Sequence, residues 1–232
     1  LKISSAKYLF ESIKSFLNKN NKISKEWNSL NVISENASSV GSFDLGLYKT
    51  KDGSNEVLKD LENNKFEIVY LLGQDNLRFN KQNEFIIYQG SHGDKGAEMA
   101  DIILPGAAYT EQNGYFTNLE GKLQKAYKAS YPPEESKEDW LIINELAEVM
   151  NHRKLFNDKD ELDSSLMNQI NLYIEKNNSK QIMNITELNF ENEFLKIDNK
   201  DYYYSNVIAR ASKTMFECKN AKTNFKSTGT EG

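Results

Sequence analysis

The residues best suited to chemistry in this 232-residue chain lie in one glycine-rich segment, Gly90–Gly96, with the sequence Gly-Ser-His-Gly-Asp-Lys-Gly. The segment follows an apolar run, Phe85–Tyr88, and precedes several small residues. Backbone amides of such a loop can converge on a phosphate where a helix begins. The spacing matches neither G-x-G-x-x-G nor G-x-x-x-x-G-K-[ST], however. We therefore favour the alternative, a structural loop whose glycines permit positive φ angles and close packing.

The two histidines are the next candidates. His92 and Asp94 could act as a general base and the carboxylate that orients it, but no nucleophile is evident nearby in the sequence. His152 follows a helical pattern and stands beside Arg153, where a cation complements the negative end of a helix dipole. A hydrogen-bonding or packing role is therefore favoured for His92, and a helix-terminus role for His152.

The remaining candidates carry weaker signals. The carboxylates Asp101, Glu111 and Glu120 do not have the spacing of metal ligands. The single cysteine, Cys218, is expected to be a buried small hydrophobe, and one cysteine excludes an internal disulfide, a C-x-x-C zinc site and a four-thiolate cluster within the chain. The aromatic run Tyr202–Tyr204 is expected to be half-buried and has no basic patch beside it, so a core or interface role is favoured over nucleic-acid stacking. We predict no catalytic, cofactor-binding or metal-binding residue.

Composition narrows the possible partners and compartments. The chain has 34 acidic and 29 basic residues, a formal net charge of -5, so nucleic acid is not an expected partner. No apolar run approaches the ~18 residues that a membrane-spanning helix requires. Lys and Ser interrupt the first seventeen residues, which favours a helix over a signal peptide and predicts a reducing, soluble compartment. The chain begins at Leu rather than Met, which leaves processing, truncation or an unusual start open.

The elements that must position these residues follow an α/β pattern. Three apolar runs are predicted to be parallel strands with right-handed crossovers, namely Phe66–Leu72, Phe85–Tyr88 and Ile102–Leu104. The first is expected to be buried, because parallel sheets are normally covered on both faces. The stretch from Phe85 to Gln124 then forms a rim where strands end in loops, followed by an extended run with Gly114 and Gly121.

Apolar periodicity and cap residues predict the helices: one from Ala6 to near Asn18–Asn21, and others at Ala37–Phe43, Ser54–Leu61, about 137–150, Glu161–Lys176, and from Ser205 onward. Ser136 and Asp139 resemble a capping box at the start of the helix at about 137–150. A short strand or turn is expected at Leu30–Ile33, a turn at Asp52–Gly53, and an irregular region from Asn177 to Lys200.

Pro132–Pro133 divides the predicted domains. Residues 1–131 form an α/β core, 132–218 a helical and irregular extension that packs on it, and 219–232 a disordered tail.

Residues 100–124, ADIILPGAAYTEQNGYFTNLEGKLQ, resemble the molybdopterin-oxidoreductase pattern of Ala-Asp, an apolar strand, Leu-Pro, then Glu, Gly, Asn and Glu-Gly-Arg-x-Gln. The matching positions are Asp101, Leu104, Pro105, Glu111, Gly114, Asn118, Glu120, Gly121 and Gln124. Lys122 replaces the Arg of the pattern, and Tyr115 stands where catalytic members usually have Thr.

Three further stretches resemble the large iron–sulfur subunit of respiratory complex I, the non-catalytic branch of that superfamily. They are LNVISENASSVGSFDLG at 30–46, IIYQGSHGDKGAEMAD at 86–101 and IARASKTMFEC at 208–218. The resemblance spans roughly residues 25–220 in the order of the family.

This resemblance implies a Rossmann-like parallel sheet flanked by helices, within a molybdopterin-oxidoreductase-like fold. It covers only the C-terminal half of the subunit, because the N-terminal ferredoxin-like region with its cluster cysteines is absent. It implies a non-catalytic structural subunit, or split-subunit fragment, of the peripheral arm of mitochondrial NADH:ubiquinone oxidoreductase, on the matrix side of the inner membrane. The chain would not be an enzyme on its own and would bind no cofactor.

The partners implied are other complex I subunits, above all a separate chain that carries the missing half and the iron–sulfur clusters. An alternative is a fragment of a molybdopterin-dependent oxidoreductase in which Gly90–Gly96 contacts the pterin phosphate, although Tyr115 and the lack of a molybdenum ligand disfavour it. A third interpretation is an independent nucleotide-binding α/β module.

Overall fold

The structure is a computed structural model, and it describes residues 5–24, 29–31, 33, 39–47, 56–177 and 201–224. Contacts divide the chain into two compact units. The first comprises Leu1–Tyr48, Phe116–Gln124 and Asp163–Asn199, and the second comprises Lys49–Tyr115, Lys125–Leu162 and Lys200–Gly232. The domain boundaries inferred from the sequence, after residues 131 and 218, stay predictions.

The described residues form strands and helices in mixed order. The strands are β1 (Ile68–Leu72), β2 (Phe85–Gly90), β3 (Ile102–Pro105), β4 (Gly114–Thr117) and β5 (Leu123–Ala126). The helices are α1 (Ala6–Lys19), α2 (Ser39–Asp44), α3 (Glu56–Glu62), α4 (Lys95–Met99), α5 (Asp139–Asn151), α6 (Lys159–Asn177), α7 (Val207–Ala211) and α8 (Lys213–Asn224). None of these helices combines the length and apolar character needed to cross a membrane.

A parallel sheet of three strands, in the order β1-β2-β3, organises the second unit and confirms the predicted α/β fold. Its register aligns Tyr70 with Ile87 and Ile87 with Ile102. Because the strands are parallel, the loops after all three meet at one edge, as the sequence predicted. β4 and β5 form a separate two-stranded sheet from the predicted extended run.

One face of the three-stranded sheet carries the core of this unit. Leu71, Ile86 and Tyr88 are buried there, and the α4 residues Ala97 and Met99 pack against them. Side chains alternate between faces along a strand, so the residues between these point to the other side. Burial of these three side chains supplies the main hydrophobic stabilisation of the sheet.

The other side of the sheet is covered in part, since Gln89 on that side is fully buried. We call the rest of this side the open face, formed by Ile68, Leu72, Phe85, Ile87 and Ile102. Four of these five side chains are exposed, and Ile87 in the centre is half-buried. This corrects the prediction that Phe66–Leu72 is a buried strand. The strand begins at Ile68, and of its residues only Leu71 is buried, because β1 lies at the edge of the described sheet with one face only partly covered.

Helix α5 confirms the predicted helix at 137–150, but not its capping box. The N-cap is Glu138 without a side-chain cap, and the Ser136 hydroxyl instead donates to the carbonyl of Pro133. At the other end His152 is the C-cap in the left-handed region, with φ 57°, as expected for a helix-terminus residue. The buried side chain of Asn144 then fixes the following turn by accepting from the amides of Leu155 and Phe156.

The other helix predictions agree with the structure at α1, α2, α3 and α6, while the segment after Ser205 forms two helices, α7 and α8. Cys218 is half-buried rather than buried. In the aromatic run Tyr203 and Tyr204 are half-buried as predicted, whereas Tyr202 is exposed. Helix α8 continues to Asn224, into the segment predicted as a tail. Residues 29–31 and 33 have no regular structure. The predicted turn at 52–53 and the region 178–200 lie outside the described residues.

Candidate functional site

The loops after β1, β2 and β3 converge at the carboxyl edge of the sheet, and we call this the rim. The amide of Gly73 donates to the carbonyl of Gln89 at 2.9 Å, and that of Gly106 donates to the carbonyl of Gly90 at 3.0 Å. The amide of Gly96 reaches the carbonyl of Asp75 at 2.9 Å. Backbone groups that could face a phosphate are thus partly used to hold the loops to one another.

The glycines of the predicted loop are required by packing at two positions. A Cβ on Gly96 would lie 2.5 Å from the carbonyl oxygen of Gln74, and one on Gly90 would lie 2.3 Å from the hydroxyl of Tyr88. Tyr88 is 2% exposed and cannot move aside. A Cβ on Gly93 would meet nothing within 4 Å. Close packing, one part of the explanation favoured from the sequence, therefore accounts for Gly90 and Gly96. The other part, positive φ, is wrong, since none of Gly90, Gly93 and Gly96 has a positive φ.

His92 does not pair with Asp94. Its Nδ1 lies 3.0 Å from the Ser91 hydroxyl, and its carbonyl accepts from the Tyr88 hydroxyl at 2.9 Å. A cleft of about 680 Å³ brings His92 and Glu111 to one opening. The Oε2 of Glu111 accepts from the amide of Ala108, however, so this carboxylate stabilises the turn in which it lies. The base–orienter pair considered for His92 and Asp94 is wrong.

Asp94 is tied instead to a residue that the sequence did not single out, Arg210. One carboxylate oxygen of Asp94 accepts from the amide of Lys95 at 2.8 Å, and the other accepts from the Arg210 guanidinium. Burial alone would raise the pKa of Asp94, but the hydrogen bonds from Arg210 and the Lys95 amide outweigh it and hold the pKa below its usual value. Asp75 lies 3.2 Å from another nitrogen of the same guanidinium.

A second polar cluster lies under the rim and is built around Gln89, whose side chain on β2 is fully buried. Gln89 accepts from the Tyr70 hydroxyl and donates to the Asp139 carboxylate at 2.8 Å. Gln112 donates to the other oxygen of Asp139, also at 2.8 Å, and accepts from the Asp139 amide. Burial first, and then the charge of Asp139, raise the pKa of Tyr70.

This cluster connects the sheet to α5. A Cβ on Gly106 would lie 2.7 Å from the Asp139 carboxylate, so the β3 loop also packs against it. The donors that reach Asp139 from Gln89 and Gln112 are neutral amides, and they occupy both carboxylate oxygens. The arrangement therefore positions elements and offers no free acid or base.

The charged side chains at the rim are of both signs, with carboxylates in the majority. One cleft of about 320 Å³ is lined by Asp75 and Asp139. Arg210 pairs with Asp75 and Asp94. With Lys95, next to Asp94, the count is three carboxylates against two cations, so these residues carry no excess of positive charge for a phosphate. Among the residues described, no group of three or more His, Cys, Asp or Glu side chains is placed to hold a metal ion.

The residues of the 101–124 pattern have structural contacts. Asn118 accepts from the amides of Glu120 and Lys122 with its side chain, and Gly121 turns the chain with φ 81°. Asp101 accepts from the amide of Ile86 at 2.8 Å and from Lys81 at 2.6 Å. It therefore ties the start of β3 to β2.

Acid is expected to weaken the structure through Asp101. The hydrogen bond from the Ile86 amide, followed by that from Lys81, lowers the pKa of Asp101. Its stabilising contribution is then complete above the unfolded value of about 3.9 and is lost as the pH falls through the lower folded pKa. Asp101→Asn should be less stable than wild type at pH 7, and this difference in stability should shrink toward pH 3.

Urea unfolding midpoints of both proteins at pH 7, 5 and 3 measure this difference in stability. Glu148→Gln, which changes an exposed carboxylate on α5, is the control and should follow wild type. A gap between Asp101→Asn and wild type that stays constant across this range would contradict the prediction.

The family described as molybdopterin oxidoreductase matches residues 2–149.

Three curated proteins are similar to this chain over most of its length. The NADH-ubiquinone oxidoreductase 75 kDa subunit of Reclinomonas americana is 38% identical over 205 residues, which is 83% of this chain and 28% of that protein. An NADH-quinone oxidoreductase subunit of Rickettsia bellii is 38% identical over 94% of this chain and 31% of its own length. The mitochondrial NADH-ubiquinone oxidoreductase 78 kDa subunit of Neurospora crassa is 33% identical over 97% of this chain and 32% of its own. The chain thus spans about a third of the length of these relatives.

Proposed function

Because the chain belongs to the molybdopterin oxidoreductase family, we propose that it is a non-catalytic structural part of an NADH:ubiquinone oxidoreductase. Its place would be the peripheral arm of the mitochondrial complex, on the matrix side of the inner membrane. There it would support the iron–sulfur clusters that carry electrons from NADH toward ubiquinone. The names of the relatives, two of them ubiquinone oxidoreductase subunits, support this assignment.

The observation that carries the proposal is the open face of the sheet. Parallel sheets are normally covered on both faces, yet Ile68 is 63% exposed and Ile102 is 45% exposed. The relatives are about three times as long as the part matched here. We propose that a polypeptide supplying that remaining length covers the open face, and that it carries the clusters for which the single cysteine of this chain cannot provide ligands.

A non-catalytic role agrees with the site geometry. The carboxylates of the rim are paired with Arg210 or with amides, and they offset the positive charge that a pterin phosphate would need. The rival, a fragment that binds molybdopterin, predicts stoichiometric molybdenum or tungsten in the purified protein. Elemental analysis distinguishes the two: the expected result is neither metal, and a stoichiometric amount would overturn the non-catalytic assignment.

Association with the complex can be tested directly. Blue-native separation of membranes from the source, followed by mass spectrometry, should place this chain in the band of NADH:ubiquinone oxidoreductase. Absence from that band, together with a purified monomer that has no affinity for the other subunits, would contradict the proposal.

Ile102→Lys should reduce incorporation into the complex. Burying one large aliphatic side chain is worth about 1.5–3 kcal/mol, so a charge there should weaken association about ten- to hundredfold. The adjacent Ile103 is a matched control, since it is 55% exposed on the same edge strand but points to the other face. Ile103→Lys should incorporate normally, as measured by the fraction of tagged chain in the native complex. Equal loss from both variants would exclude the open face as the specific contact.

A further inference from the structure

The short helix α7 lies over the rim. Asn206, Val207 and Ile208 line the cleft of about 320 Å³ together with Gly73 of the β1 loop and Ser91 of the β2 loop. The helix begins with a side-chain cap, since Asn206 accepts from the amide of Ala209 at 2.9 Å. The C-terminal region therefore occupies the position at a parallel sheet where ligands usually bind.

Arg210 joins α7 to both loops. Its Nε donates to Asp94, its Nη2 lies 3.2 Å from Asp75, and its Nη1 donates to the carbonyl of Tyr204 at 3.4 Å. All three charged side chains are largely shielded, with exposures of 18% for Arg210, 22% for Asp75 and 17% for Asp94. We call these three residues the Arg210 clamp.

The chemistry of the clamp requires an arginine. A planar guanidinium offers separate donors at fixed angles, so it can satisfy two carboxylates from two loops at once, whereas an ammonium is a single point charge. Only three of the 29 basic residues of the chain are arginines. The two carboxylates, each on a different loop, would repel one another without the cation between them.

We infer that the rim is a receptor for the chain's own helix α7, which the Arg210 clamp holds in place of an external ligand. The bound partner is thus intramolecular, and the loops after β1 and β2 are closed by a residue from the C-terminal region. This inference does not depend on which complex the chain joins.

Hydrogen exchange on the whole chain, followed by mass spectrometry, tests the clamp. Arg210→Gln should speed exchange of the amides in 207–211 about ten- to hundredfold, because charge-assisted hydrogen bonds are lost, while exchange in β2 stays unchanged. Arg78→Gln is the matched control. Arg78 also pairs with a carboxylate, that of Glu98 at 2.7 Å, but both side chains are 63% exposed. Unchanged protection of α7 in Arg210→Gln would overturn the inference.

A double variant separates the clamp from a general loss of stability. Asp75→Asn should also speed exchange in α7. The double variant should exchange no faster in α7 than Arg210→Gln alone, because both substitutions remove the same contact. Additive effects would overturn the link between the two residues.

Pyrophosphate is the probe for an external ligand at the rim. At millimolar concentration it should leave exchange of 73–75, 91–96 and 207–211 unchanged in wild type. Protection of the two loops together with release of α7 would show that the rim accepts phosphate and would overturn the inference.

Discussion

Replacing Gly96 with alanine is expected to lower the free energy of unfolding by about 2–3 kcal/mol, the cost of overpacking a close-packed site. The new methyl group would lie 2.5 Å from the carbonyl oxygen of Gln74 and 3.1 Å from the Tyr88 ring. The first neighbour is backbone and the second is buried, so neither can give way cheaply. Helix propensity alone predicts the opposite sign, a gain of up to about 1 kcal/mol for alanine within α4.

Gly93→Ala is the matched control for Gly96→Ala, because it adds the same methyl group three residues earlier where nothing lies within 4 Å. Its expected effect is within about 0.5 kcal/mol of wild type. Urea unfolding of the three proteins measures the difference. A neutral Gly96→Ala would show that close packing does not account for this glycine.

Asp139→Ala is expected to cost about 2–4 kcal/mol of unfolding free energy, because two amide donors lose their acceptor under the rim. Gln89 and Gln112 each donate to this carboxylate at 2.8 Å, and Gln89 is fully buried. No side chain of alanine size can replace the missing oxygens. The loss should appear as a lower urea midpoint and a lower melting temperature.

Glu145→Ala provides the comparison on the same helix. Glu145 pairs with Lys137 at 2.7 Å, but the two side chains are 53% and 47% exposed, so its loss should cost at most about 1 kcal/mol. Equal destabilisation by Asp139→Ala and Glu145→Ala would contradict the assigned role of the buried cluster.

The strands and their parallel order could be predicted because apolar runs and glycines are local signals. Phe85–Tyr88 and Ile102–Leu104 are short, bounded and apolar, and both became strands in one sheet. Burial of β1 was predicted wrongly for the same reason. An apolar run indicates a strand, but it does not indicate whether a second layer covers each face.

The polar contacts of the rim could not be predicted, since they join residues that are distant in sequence. Gln89 and Asp139 are 50 positions apart, and Asp94 and Arg210 are 116 apart. Local spacing instead suggested pairs such as His92 with Asp94 and Ser136 with Asp139. Asp94 accepts from Arg210 instead of pairing with His92. The Ser136 hydroxyl donates to the carbonyl of Pro133, and the Asp139 amide donates to Gln112, so no capping box forms. The scarcity of arginine was the one signal that could have drawn attention to Arg210.

The separation in sequence between the residues of the Arg210 clamp also sets the order in which they are synthesised. A ribosome adding about 5–20 residues per second needs roughly 6–23 s to proceed from Asp94 to Arg210. The sheet strands can pair during that interval, but Asp75 and Asp94 remain without their cation. We expect the rim to be the last part of its unit to mature, and a nascent chain stalled before residue 210 to carry an unfinished, acidic edge.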